Sequence, residues 1–124
     1  MGVNVAGGGS LPRGGGGEAI QVAYKTKNRD ATTPTPRESP LTVSTTVLEL
    51  KTPANAVVLV MFAGSNNLRF GDNATLDGTA NKGYFVLTAG NFVALPVASA
   101  GSVWVKRDGA ADVIVSFYYE MLES

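Results

Sequence analysis

The chain contains no cysteine and no histidine. The first absence removes disulfides and thiolate metal sites. The second removes Ser-His-Asp and Cys-His nucleophile systems, imidazole acid–base work and the usual zinc sites. An excess of one charge is also missing. Ten Lys plus Arg balance ten Asp plus Glu with no block of like sign, so neither a nucleic-acid backbone nor an anionic membrane is an expected partner. The longest apolar run, AVVLVMFA at residues 56–63, is far short of the roughly 20 residues that span a bilayer. The opening MGVNVAGGGSLPR lacks the basic and apolar regions of a secretory signal. Ala6 also stands where the Met-Gly myristoylation pattern wants Ser or Thr. A soluble chain made without export is expected.

What the sequence does have is glycine, placed unevenly: 8 of its 15 glycines lie in the first 17 residues. Glycine loses more backbone freedom on ordering than any other residue, so residues 1–18 read as a flexible arm rather than core. An arm of that length reaches roughly 60 Å when extended and suits contact with a neighbouring subunit. The side chains with which it would grip a partner are Val3, Val5, Leu11 and Arg13, followed by Ile20, Val22 and Tyr24, which alternate onto one face. Lys25, Lys27 and Arg29 could add contacts to an acidic groove. Residues 19–40 carry Pro34, Pro36 and Pro40 among Thr, Ser and charges, the composition of an extended strap or linker.

From residue 41 to 124, strand-like runs alternate with turn chemistry and no apolar spacing of 3.6 is sustained. LTVSTTVLELK supplies one or two strands. AVVLVMFA reads as a central strand covered on both faces, and NLRFGD as a short strand. GYFVLT and NFVALPVAS flank a reversal at Gly90, where a positive φ is available. SVWVKR and DVIVSFYYEML flank Asp108-Gly109, the best hairpin signal in the chain. In the last run Val113, Val115, Phe117 and Tyr119 share one face, and Ile114, Ser116, Tyr118 and Glu120 the other. Both faces are partly apolar, so this strand either sits centrally or meets another subunit. The predicted class is all-β, an antiparallel β-sandwich or small jelly roll with an extended Gly-rich N-terminal arm.

Chemistry has few places to reside. Asp108, Asp112, Glu120 and Glu123 are the candidates for a carboxylate pair, but two belong to a turn and its flank and two close the chain, so no enzyme is predicted. Asp72, Asn73 and Asp77 in GDNATLDG could offer oxygen ligands to Ca²⁺; a turn in which Asp and Asn bond their own backbone is the favoured reading. Asn73-Ala74-Thr75 matches the glycosylation triplet, which without export carries no weight. The glycine triplets lack the strand, helix and Lys-Ser/Thr pair of a phosphate loop. Trp104, Tyr118 and Tyr119 could form a platform for sugar rings, with core packing favoured. No cofactor and no metal site is assigned.

The distributed pattern is itself informative. TPANA precedes a buried run, LRFGD and GYFVLTAGNFVAL follow, and VWVKRDGAADVIVSFYYE closes the chain. Over residues 47–120 this pattern resembles small β-sandwich or jelly-roll virion proteins of tailed bacteriophages. The resemblance implies a non-enzymatic structural protein, foremost a capsid cement or decoration protein on the outer surface of the virion capsid. Its implied partners are the major capsid protein and further copies of itself, as a homotrimer. A tail, neck or fibre component, or a carbohydrate- or receptor-binding module, is the alternative.

Overall fold

The computed structural model describes residues 24–33, 35–78 and 83–122. Within them lie nine strands: β1 (Tyr24–Lys27), β2 (Leu41–Val43), β3 (Leu48–Lys51), β4 (Ala56–Ala63), β5 (Leu68–Gly71), β6 (Phe85–Leu87), β7 (Phe92–Pro96), β8 (Ser102–Arg107) and β9 (Val113–Leu122). No helix occurs among the described residues. The strands form two antiparallel sheets, packed face to face.

The five-stranded sheet runs β1-β9-β4-β7, with β2 also paired to β9. Both β1 and β2 lie on the same side of β9, at its two ends. β2 meets its start (Val113 opposite Val43) and β1 its finish (Leu122 opposite Tyr24). In the gap between them the Phe117 N–H donates to Ser39 Oγ at 2.9 Å, so a side chain replaces the missing ladder bond. The four-stranded sheet runs β3-β8-β5-β6. From β2 onward every strand passes to the opposite sheet except at the β5–β6 hairpin. Eight strands ordered 2-9-4-7 and 3-8-5-6 make a jelly roll, to which β1 is an addition.

The core follows from strand alternation. Val113, Val115, Phe117, Tyr119 and Met121 of β9 are all buried, and the residues between them face outward. They meet Leu59, Met61 and Ala63 of β4 within their own sheet, and Leu50, Leu68, Phe70 and Val105 of the opposite one. The Phe117 and Tyr119 rings sit 6.1 Å apart, edge to face. A register shift between Glu120 and Met121 places Ala56 and Val58 on successive β9 partners. This bulge turns both Ala56 and Leu59 inward.

Two expectations about the strands need correction, and a third, the turn at Gly90, holds. Asp108-Gly109 does not close a hairpin: β8 pairs with β3 and β5, and β9 with β1, β2 and β4. The segment crosses between sheets, held by Arg69 to Asp108 at 3.0 Å, Arg107 to Asp112 at 2.8 Å and the Asp108 N–H on the Asn67 carbonyl. At Gly90 (φ 79°) the tight turn does form, with the Asn91 N–H donating to the Thr88 carbonyl. Yet β6 and β7 leave it for opposite sheets. Finally, β4 is central but covered on one face only. Val58 and Val60 are half-buried and Phe62 is 43% exposed on the other.

Candidate interaction surfaces

The two outer faces of the sandwich differ in chemistry. On the four-stranded sheet, pairing register places Glu49 opposite Trp104, Lys51 opposite Ser102, and Arg69 opposite Lys106. The Ser102 hydroxyl donates to Glu49 Oε2, and the Arg69 guanidinium lies 4.0 Å over the Tyr84 ring. This face is mostly polar and charged, with the exposed Val86 opposite Arg69 as an apolar exception. Trp104 lies on it half-buried, outside the core, because Val105 takes the inward position beside it. The preference for Trp104 as a core residue is therefore corrected by strand parity.

The outer face of the five-stranded sheet is largely apolar. Down β9 the outward residues are Ile114, Ser116, Tyr118, Glu120 and Leu122. Ser116 stands opposite Phe62, which stands opposite Phe92; Tyr118 opposite Val60, then Ala94; Glu120 opposite Val58, then Pro96. Leu122 stands opposite Tyr24 of β1. Glu120 is the one charged side chain in these pairings. A shallow depression of about 570 Å³, lined in part by Ser116, Tyr118, Val60 and Phe62, lies on this face beside the gap between β1 and β2.

A third apolar surface lies along the flank where β6 and β7 end their sheets. There the core opens into a groove of about 580 Å³ lined by Phe70, Phe85, Leu95, Val97 and Val103, with Asp72, Thr52 and Ser102 among its polar residues. Phe85 packs on Phe70 at 5.7 Å between ring centres, yet it is 71% exposed. No other large apolar side chain among the described residues stands so far into water.

The strap folds back on itself. Asp30 N–H donates to the Arg37 carbonyl and Ser39 N–H to the Asn28 carbonyl, with Arg29 and Glu38 facing each other at 3.8 Å. A cis Ser39–Pro40 bond leads into β2. Asp30 is buried and its carboxylate accepts from the Thr33 hydroxyl (3.1 Å) and the Arg37 N–H (2.9 Å). Arg37 Nε reaches the Glu49 carbonyl at 2.8 Å, tying the strap to β3. Near Asp30 the buried Tyr119 hydroxyl has no hydrogen-bond partner among the described residues. Burial, and then the Asp30 charge, push its phenol well above the usual tyrosine value.

Among the predicted site residues, Tyr24 lies in the apolar outer face; Val3, Val5, Leu11, Arg13, Ile20 and Val22 lie outside the described residues. Lys25, Lys27 and Arg29 are exposed on or just after β1. In the 71–78 loop Asn73 Oδ1 accepts from the Thr75 and Leu76 N–H groups, the predicted turn in which a side chain bonds its own backbone. Asp108 and Asp112 are each paired with an arginine, Glu120 faces outward alone on its strand, and Glu123 lies outside the described residues. Among the described residues no three acidic side chains come together as a metal site would need. Sequence reasoning did not single out Phe62, Phe85 and Phe92. Their signal was the apolar residue on the second face of an already apolar strand.

Compared with protein-family models, curated proteins and solved structures, the chain matches none. The class is thus the one its topology defines: a jelly-roll β-sandwich with one polar and one apolar outer face.

Proposed function

We propose that the chain is a non-enzymatic structural protein of a tailed-bacteriophage virion, a cement or decoration protein that stabilises the shell by binding the major capsid protein from outside. The observation that carries this reading is the sidedness of the sandwich. A jelly roll with one apolar and one charged outer face is built to be covered on one side and wetted on the other. The carboxylates offered for catalysis support it as well, since Asp108 and Asp112 are engaged in ion pairs that hold a crossover. Residues 1–18 supply the arm that reaches neighbouring shell subunits, adding contact area and effective concentration once the domain has docked. Because it binds the assembled state, the protein shifts the assembly equilibrium by mass action. The partners are the major capsid protein and further copies of the chain.

Quantitative mass spectrometry of purified particles tests this. A copy number near that of the major capsid protein is expected; a few copies per hundred places the chain in tail, neck or fibre, and absence from the particle ends the virion reading. The half-exposed Trp104 favours one second reading, a carbohydrate-binding module on the polar face. Glycan-array binding lost on Trp104→Ala, with the fold intact, would establish it.

A further inference from the structure

The flank groove is a seam along which the sandwich stays open. β6 and β7 each end their sheet, and between them Phe70, Leu95, Val97 and Val103 floor a groove of about 580 Å³. β7 also has an unused edge. The Asn91 carbonyl and the Val97 N–H bond Ala63 and Val57 on the β4 side. Alternation therefore turns the amides of Phe92 and Ala94 away from β4, where no strand among the described residues meets them. An apolar floor beside a free strand edge suits an extended peptide. We propose that the groove holds the chain's own N-terminal arm, with Leu11 on the apolar floor and Arg13 at Asp72.

Position, length and charge select that segment. Tyr24, where the described chain starts, pairs with Leu122, whose N–H donates to the Asn55 carbonyl just before β4. Val97 bonds Val57 of the same strand end, so Tyr24 and the groove share one end of the sandwich. Three strand spacings of about 4.8 Å, from β1 through β9 and β4 to β7, set them roughly 14 Å apart. Arg13 stands 11 residues before Tyr24, and a glycine-rich chain of that length has a mean reach of about 18 Å. A tether whose reach matches its span gives an effective concentration of order millimolar, at which even a millimolar contact is half occupied. Charge completes the match. Asp72 is the only charged residue lining the groove among the described residues, and it joins none of their ion pairs. Arg13 is the only charged side chain in residues 1–17. In an extended segment Leu11 and Arg13 face the same way, roughly 7 Å apart, and Asp72 likewise lies two residues beyond Phe70 of the floor. Pro12 fixes its own φ and favours an extended Leu11, which lowers the cost of ordering.

This inference concerns the free chain and goes beyond the shell reading, since a docked arm must leave the groove before it can reach a shell subunit. A contact of that strength adds little to the stability of the domain. Because the chain has no cysteine, Gly9→Cys gives a single site for a nitroxide label on the full, isotope-labelled protein. Amide NMR signals of Gly71, Tyr84, Val97 and Gly101 around the groove are expected to be lost, and those of Val113 and Val115 at the far end of β9 to be kept. A mixture of nitroxide-bearing chains without isotope and isotope-labelled chains without nitroxide is expected to show no loss, because docking is within one chain. Leu11→Asp is expected to weaken docking about 10- to 100-fold. Arg13→Asp and Asp72→Arg each weaken it about two- to fivefold, and together restore it. Leu11 and Arg13 lie outside the described sandwich, so their variants decide the matter even if Asp72→Arg fails to fold. Signal loss equal in the mixture assigns the groove to a second copy and overturns the proposal. Loss away from the groove, no loss, or loss indifferent to Leu11→Asp overturns it too. A docked arm on a chain absent from virions would keep this inference and remove the cement reading.

Discussion

Asp30 anchors the strap through one buried carboxylate that accepts from Thr33 and from the Arg37 backbone. Replacing it by alanine strands the Arg37 amide, at about 1–3 kcal/mol for an unpaired group in the interior, whereas the Thr33 hydroxyl keeps the Thr35 carbonyl at 3.0 Å. Asp30→Ala is expected to lose about 1–3 kcal/mol in urea unfolding. Tyr119 behaves oppositely, because its buried hydroxyl already lacks a partner. Tyr119→Phe is expected to be neutral or up to about 1 kcal/mol more stable near neutral pH. The two chains diverge further in alkali. An unfolded tyrosine releases its proton near pH 10, whereas folded Tyr119 holds its proton to higher pH. Above about pH 10 the native state binds more protons than the unfolded one, so wild-type stability falls as pH rises. Tyr119→Phe should lack that component, which chemical denaturation at a series of alkaline pH values would reveal. Gly71 shows a steric requirement: an added Cβ would lie 2.8 Å from Leu76 Cδ2 and 3.1 Å from the Gly83 carbonyl. Gly71→Ala is expected to cost about 1–3 kcal/mol by forcing the 72–78 loop off β5, read as a lower thermal midpoint.

Strand existence was legible in the sequence, but strand pairing was not. The alternation of β9 sorted its residues into two faces, and the structure buries the one that carries Val113, Val115, Phe117 and Tyr119. The Asp108-Gly109 signal failed because a local turn preference of about 1 kcal/mol competes with whole ladders. β8 gains two partner strands in one sheet and β9 three in the other. In a jelly roll those ladders join strands distant in sequence, and no short window contains both. The crossover therefore depends on Arg69, whose Nε and terminal nitrogen both donate to Asp108 Oδ1 while it also reaches the Leu76 carbonyl. Asp108→Ala is expected to cost about 1–2 kcal/mol, more than a fully exposed ion pair, because both partners are largely shielded from water. A chemical denaturation series measures it; a change below a few tenths of a kcal/mol would make Asp108 only a turn residue.

At the scale of the molecule, the described sandwich begins at Tyr24, and its core among the described residues runs from Val43 to Met121. Deleting residues 1–17 is expected to leave the thermal midpoint unchanged while occupancy on purified shells is lost. Normal occupancy by the truncated chain would refute the arm. The candidate surface was half legible. The second apolar face of β9 admits a central position or a contact with another subunit, and β9 does sit centrally, while Tyr24 pairs with Leu122 of its own chain. Phe62 and Phe92 join that face only because β4 and β7 pair in the register found, and Phe85 becomes a flank residue only because β6 ends its sheet.

The sequence by itself determined the all-β class, which residues of β9 share a face, the Asn73 turn and the exclusion of histidine and thiol chemistry. These depend on alternation and residue type, which are local. Only the tertiary structure decided which sheet each strand joins, that the outer faces differ, and that Trp104 stands outside the core. Those outcomes rest on contacts between residues far apart in the chain, where the combined stability of many ladder bonds outweighs the preference of any one turn.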